Sequence, residues 1–199
     1  MVNIIVWVAL TVLRAAIALE SNAAQTPLVK RDGTPSVKEF VDTQEPIWTC
    51  ISTEKTKLLC KVDVKVSSHV ENIQFNRSFY MGYHNWTTYA CTGTFDTGNQ
   101  QEMRVTAKNE RQDYNETLLY SGANYSCGVF MVQPVTRSDS TTWHELRIRN
   151  SSIKRRTDLK CTEHFRRVAG SEGARKMFRR QCLHMLQIGN APYSRWELH

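Results

Sequence analysis

From Trp48 to Asn150 the side chains alternate with a period of two, and no other feature restricts the fold as much. In "NIQFNRSFYMGY" (72–83), Ile73, Phe75, Phe79, Met81 and Tyr83 form an apolar row broken only by Arg77, while Asn72, Gln74, Asn76 and Ser78 form a polar one. Successive strand residues point to opposite faces, so this pattern predicts strands with one dry and one wet face. "KVDVKV" (61–66) reads the same way, with Val62, Val64 and Val66 on the dry face and Lys61, Asp63 and Lys65 on the wet one. The segments "TTYACTGTF", "EMRVTAK", "NETLLYS", "YSCGVFMV" and "TWHELRIRN" follow, separated in places by the turn signals "DTGN" and "SGAN". Many short strands with no interleaved helix predict an antiparallel sandwich or closed barrel. The period then changes. In "DLKCTEHFRRVAG" (158–170), Leu159, Thr162, Phe165, Val168 and Ala169 share a helical face, with Thr157 or Asp158 as cap and Gly170 as stop.

The compartment decides how the cysteines are read. Residues 1–24 have an apolar core from Ile4 to Leu13 followed by small residues, the pattern of a cleaved secretory signal ending at Ala18 or Ala24. That core is shorter than the roughly 20 apolar residues a membrane span requires. No second long apolar run follows, so the expectation is a secreted, extracellular chain without a membrane anchor. Five Asn-x-Ser/Thr acceptors, at Asn76, Asn85, Asn115, Asn124 and Asn150, agree with export and mark expected glycosylation sites on solvent-facing positions. In an oxidising compartment the six cysteines, Cys50, Cys60, Cys91, Cys127, Cys161 and Cys182, read as three disulfides. Their spacing lacks the close pairs of a zinc site, so no metal is expected. Sequence alone leaves the pairing open, although Cys50 and Cys60 bracket a stretch of hairpin length.

Residues 25–45, with Pro27, Gly33 and Pro35 among polar residues, are expected to be a flexible N-terminal arm; 46–185 form the domain and 186–199 a tail. The net charge of +7 is concentrated: between Arg147 and Arg180 there are twelve Lys or Arg against three Asp or Glu. "KRR" (154–156), "FRR" (165–167) and "RKMFRR" (175–180) mark a basic face suited to an acidic glycan such as a glycosaminoglycan, or to an acidic host protein, with Arg155, Arg156, Arg179 and Arg180 its main charges. A nucleic-acid partner is not expected, since no recognition motif is present. His144-Glu145 begins an H-E-x-x-H helix motif, but Ile148 stands where the second histidine belongs. With no nucleophile elbow, phosphate loop or dinucleotide turn, neither an enzyme nor a cofactor is expected.

The segments "LLYSGANYSCGVFMV", "WHELRIRNSSIKRRTDLKCTEHFRRVAG" and "MFRRQC", with "EPIWTC" and "YACTGTF", resemble the salivary lipocalins of ticks, the group that includes histamine-binding proteins. The resemblance covers most of residues 40–182, without the general lipocalin G-x-W signature. It implies an eight-stranded antiparallel lipocalin barrel with a C-terminal α-helix packed on the wall and a cavity for a small host mediator. It also implies disulfides Cys127–Cys161 and Cys91–Cys182, leaving Cys50 and Cys60 to pair locally. Amine binders of that family use a Glu and a Trp in a Tyr-Glu-Leu-Trp stretch, which here reads His144-Glu145-Leu146-Arg147. Some of them also have an aspartate directly after the strand cysteine, where this chain has Gly128. An acid beside an inward arginine neutralises itself, which disfavours histamine. An interior Arg147 instead suits a carboxylate-bearing lipid mediator, with Phe75, Phe79, Tyr83 and Phe95 as apolar walls. The alternative is a structural Glu145–Arg147 ion pair among aromatics that are plain core.

Overall fold

The structure, a computed structural model, describes residues 33–81, 86–108, 112–135, 142–153, 158–170 and 173–184. The expected signal segment (1–24), Tyr83, Asn85, Lys154 to Arg156 and the expected tail from 186 lie outside them. Eight antiparallel strands follow one another: β1 (Ile47–Ser52), β2 (Leu59–Ser68), β3 (Asn72–Tyr80), β4 (Trp86–Phe95), β5 (Glu102–Ala107), β6 (Tyr114–Ser121), β7 (Cys127–Pro134) and β8 (Trp143–Arg149). Each pairs with the next, and β1 pairs with both β8 and β2, which closes the sheet into a barrel. Closure removes the exposed edges that an open sheet would present.

The closure between β1 and β2 is partial. Ile47 and Trp48 pair with Asp63 and Val62, after which β1 turns to a ninth, short strand, β9 (Arg175–Lys176), through Ile51 and Ser52. Met177, fully buried, sits in the gap: its N–H donates to the Cys50 carbonyl at 2.9 Å and its carbonyl accepts from Cys60 N–H at 2.9 Å. The C-terminal segment is therefore a wedge in the wall.

The other end is plugged from within the stretch expected to be a flexible arm. In "SVKE", Ser36 caps a short helix, α1 (Val37–Val41), by accepting from Glu39 N–H, and Val37 and Phe40 point inward together. Arg149 donates to the Glu39 and Phe40 carbonyls at 2.8 Å, satisfying the helix end. Gly128 is needed beneath this plug. A Cβ there would lie 2.7 Å from Phe40 Cε2 and 2.9 Å from Leu118 Cδ1, so the aspartate of the amine binders has no room.

After β8 come a single helical turn, α2 (Asn150–Ile153), and α3 (Leu159–Ala169), capped by the Asp158 carboxylate and ended at Gly170 with φ 57°. The face of α3 that packs on β7 and β8 carries Cys161, Phe165 and Ala169. Leu159, placed on that face by periodicity, is 59% exposed. The disulfide Cys127–Cys161 sets the helix rotation and ties it to β7, as the resemblance implies.

Two expectations change. Cys182 bonds Cys60, not Cys91, and Cys50 remains a thiol, so the local Cys50–Cys60 pair does not form. Cys91 belongs to the inward row of β4 and lines the barrel interior, where its thiol donates toward the Tyr89 carbonyl at 3.7 Å. Cys182 packs outside with Trp48 and Val62, and the wall stands between the two. The faces of β2 are also reversed. Lys61 and Asp63 point into the barrel, while Val66 is 61% exposed.

Candidate functional site: a charged waist beneath an aromatic cup

Inward rows stack into three layers. The lowest is apolar, with Phe40, Ile73, Phe75, Met103, Leu118 and Phe130 in one cluster. Above it six ionised side chains cross the barrel. Arg147 holds Glu145 (Nε to Oε2, 2.8 Å) and Glu116 (Nη1 to Oε2, 2.5 Å); Arg77 holds Glu116 (2.8 Å) and grips Asp63 with two bonds of 2.8 Å; Lys61 meets Glu145 at 2.6 Å. Thr49 and the Trp143 indole N–H complete the Glu145 shell. Three cations face three carboxylates, so the waist is neutral. Its guanidinium groups rest on the apolar layer, Arg147 over Phe130 at 4.3 Å and Arg77 over Phe75 at 5.2 Å.

Burial alone would push the Glu116 carboxyl up, but the Arg147 and Arg77 charges overcome it and hold this group at about 2. Glu145 is held well below the ordinary carboxylate range against the same desolvation, by Lys61 and Arg147. Both folded values are depressed. The stability they contribute is therefore complete above the unfolded carboxylate pKa of about 4.3 and is lost as pH falls toward 2. A shift of this size at Glu116 corresponds to roughly 3 kcal/mol. Thermal unfolding followed by circular dichroism is expected to give a flat midpoint from about pH 7 to 5 and a steep fall between about 4.5 and 2. A midpoint unchanged at about pH 3 would contradict the charged waist.

The third layer encloses a cavity of about 100 Å³ at the end of the barrel where β4, β6 and β8 begin. Phe79 and Tyr89 meet at 5.5 Å on one side, and Tyr114 and Trp143 meet edge to face at 5.7 Å on the other. Glu54, on the connection after β1, reaches this cavity, and its Oε2 is buried with no hydrogen-bond partner among the described residues. Burial raises the Glu54 carboxyl above its usual range, opposed by Lys61 and aided by Glu145. The two other ionic lining groups, Lys61 and Arg77, are already bonded in the waist.

Of the ligand residues expected from sequence, Phe79 lines this cavity and Phe75 belongs to the plug end, with Phe95 packed at the margin of the same apolar cluster. Glu145 and Arg147 are inward, on the same row as Trp143, but they bond each other below the cup. The Arg147 guanidinium, turned to Glu116 and Glu145, is not presented to the cavity as a carboxylate grip. Sequence reasoning missed Trp143, which alternation from Glu145 would have found, and Glu54, which no periodicity marks. Among the acceptor asparagines, Asn76 and Asn124 are exposed and Asn115 and Asn150 half-buried, with Asn150 Oδ1 accepting from the Trp48 indole at 3.0 Å. Arg166, Arg167, Arg179 and Arg180 are exposed.

No family model and no curated protein matches the chain by sequence. Solved structures do. AM182 in its serotonin complex, a tick lipocalin, is 20% identical with a TM-score of 0.54 over 70% of this chain and 85% of that one. Japanin from Rhipicephalus appendiculatus, bound to cholesterol, is 10% identical with a TM-score of 0.53 over 74% of this chain and 100% of that one. Apocrustacyanin C2 is 9% identical with a TM-score of 0.55, covering 73% and 82%. Eight strands closed on themselves, a plugged end, a cup at the other and a C-terminal helix on the wall make this chain a lipocalin barrel in fold.

Proposed function

We propose that the chain is a secreted, glycosylated binding protein of the tick salivary type that sequesters a small cationic host mediator in its aromatic cup and so blunts a host response. The observation that carries this reading is the Glu54 carboxylate oxygen, buried and unpartnered beside Trp143, Tyr114, Tyr89 and Phe79. Lys61, Arg175 and Arg77 act on Glu54 through space, but none forms an ion pair with it among the described residues, and its free oxygen, ringed by π faces, is complementary to an ammonium ion. The cavity, about 100 Å³, is smaller than the roughly 150 Å³ that accepts benzene, so a sterol or long-chain acid is far too large, and even a compact ring-bearing amine requires the aromatic side chains of the cup to move outward. The serotonin complex of AM182 supports an amine in this fold. Removal of free ligand is stoichiometric, with no chemical step and no cofactor.

Calorimetric titration with histamine and serotonin tests the reading. Glu54→Gln is expected to weaken the bound amine roughly ten- to a hundredfold, the worth of one charge-assisted bond. Because the Glu54 carboxyl is raised, wild-type affinity should climb with pH through that titration and level off once it is ionised. Equal affinity in wild type and Glu54→Gln, or uptake of fatty acids alone, would refute the amine cup.

A further inference from the structure

Outside the barrel, the seam between α3 and the strand wall holds a second cavity, of about 230 Å³, that the amine reading does not use. Its floor is Ile51, Leu146 and Ile148, which point outward from β1 and β8, and its sides are Ile153 and Phe178. Thr162 from α3, Lys176 from β9 and Cys50 from β1 also line it. The seam cannot close by simple collapse. One edge is held by the Cys127–Cys161 disulfide, and the other by the wedge that Cys60–Cys182 fastens. Phe178 is fixed in turn against Trp48, with ring centres 5.1 Å apart.

The charge around this seam is predominantly basic, although the exposed Glu163 adjoins Thr162. Lys176 is exposed and has no carboxylate partner among the described residues, and Arg166 and Arg179 are exposed nearby in sequence to Thr162 and Phe178. An apolar trough ending at an uncompensated ammonium complements an anionic amphiphile. The space exceeds the roughly 150 Å³ that accepts benzene, so a short alkyl chain fits and a sterol does not.

We propose that this crevice is a second ligand site, separate from the cup, that takes a straight-chain carboxylate of medium length. The chain lies between Ile51, Leu146, Ile153 and Phe178, and the carboxylate is held by Lys176. Cys50 supplies a native reporter: burial pushes its thiol up to about 12, so it labels slowly in the empty crevice, and an occupant slows it further.

Octanoate titrated into the full-length, disulfide-intact protein is the test, read by calorimetry and by labelling of Cys50 with a small aromatic disulfide, with peptide mapping to separate Cys50 from Cys91. At about ten times its dissociation constant, octanoate should slow Cys50 labelling about tenfold. Lys176→Glu should weaken octanoate by at least about tenfold. Thr162→Trp should fill the trough and abolish binding. Both variants should titrate with histamine like the wild type, which shows that they are folded and keeps this site distinct from the cup. The proposal fails if octanoate does not saturate, if it leaves Cys50 labelling unchanged, if 1-octanol binds as tightly, or if it displaces the amine from the cup.

Discussion

Arg147→Met is expected to destabilise the protein by about 3–5 kcal/mol, a large share of a typical domain's 5–15 kcal/mol and nearly all of it at the low end of that range. The side chain is 1% exposed and neutralises one of three buried carboxylates; without it Glu116 and Glu145 retain only Arg77 and Lys61. Replacing a complete buried ion pair by apolar groups is often neutral, whereas removing one partner strands a charge in a low-dielectric interior. The second substitution therefore decides the interpretation. Arg147→Met with Glu116→Gln restores charge balance and should recover roughly 2 kcal/mol or more of the loss, a coupling within the range for groups in one network. An exposed pair provides the contrast: Arg104 and Asp113 meet at 2.7 Å with side chains 54% and 28% exposed, and Asp113→Asn should cost less than about 1 kcal/mol. Urea denaturation of the four proteins measures all of this. A loss below about 1 kcal/mol for Arg147→Met would mean that water reaches the waist.

The same waist explains what the sequence revealed and what it concealed. A period of two gives strand parity but not the sign of each face. In β3, Phe75 and Phe79 made the dry row obvious, and Arg77 on that row was the first mark of an interior charge. In β2 the rule that apolar residues face inward assigned Val62, Val64 and Val66 to the core, yet Lys61 and Asp63 are the inward pair because they complete the ion network. Val62 is buried all the same, under the C-terminal wedge, a contact with a segment more than a hundred positions away. Parity does carry the disulfide correction, since Cys91 shares the inward row of Phe75, its partner in register, and so faces away from Cys182. It also carries Trp143, two residues before Glu145. Glu54 was illegible because its place depends on how residues 53–58 fold back over the barrel, and no local pattern encodes that path.

Loss of the Cys60–Cys182 disulfide should have the other large effect and should show what the wedge does. The bond closes a separation of 122 residues, against 34 for Cys127–Cys161. Chain-entropy estimates give roughly 5 kcal/mol for the longer loop and roughly 4 for the shorter. Both partners must be replaced, because Cys50 packs in the same cluster as Cys60 and Cys182 and could pair with whichever is left alone. In Cys60→Ala/Cys182→Ala the fall in stability should exceed that of Cys127→Ala/Cys161→Ala. The local consequences should also differ. Met177 donates to the Cys50 carbonyl and accepts from Cys60, so freeing the wedge should speed hydrogen exchange at Cys50's partner amides, Met177 and Phe178, and at position 60. Amides between β6 and β7, on the opposite wall, should keep their protection. Freeing α3 instead should expose residues 161–170 and leave Met177 slow. If Met177 stays protected without its disulfide, the hydrogen bonds of β9 and the burial of Met177 suffice to close the barrel, and the cross-link acts on the unfolded chain alone.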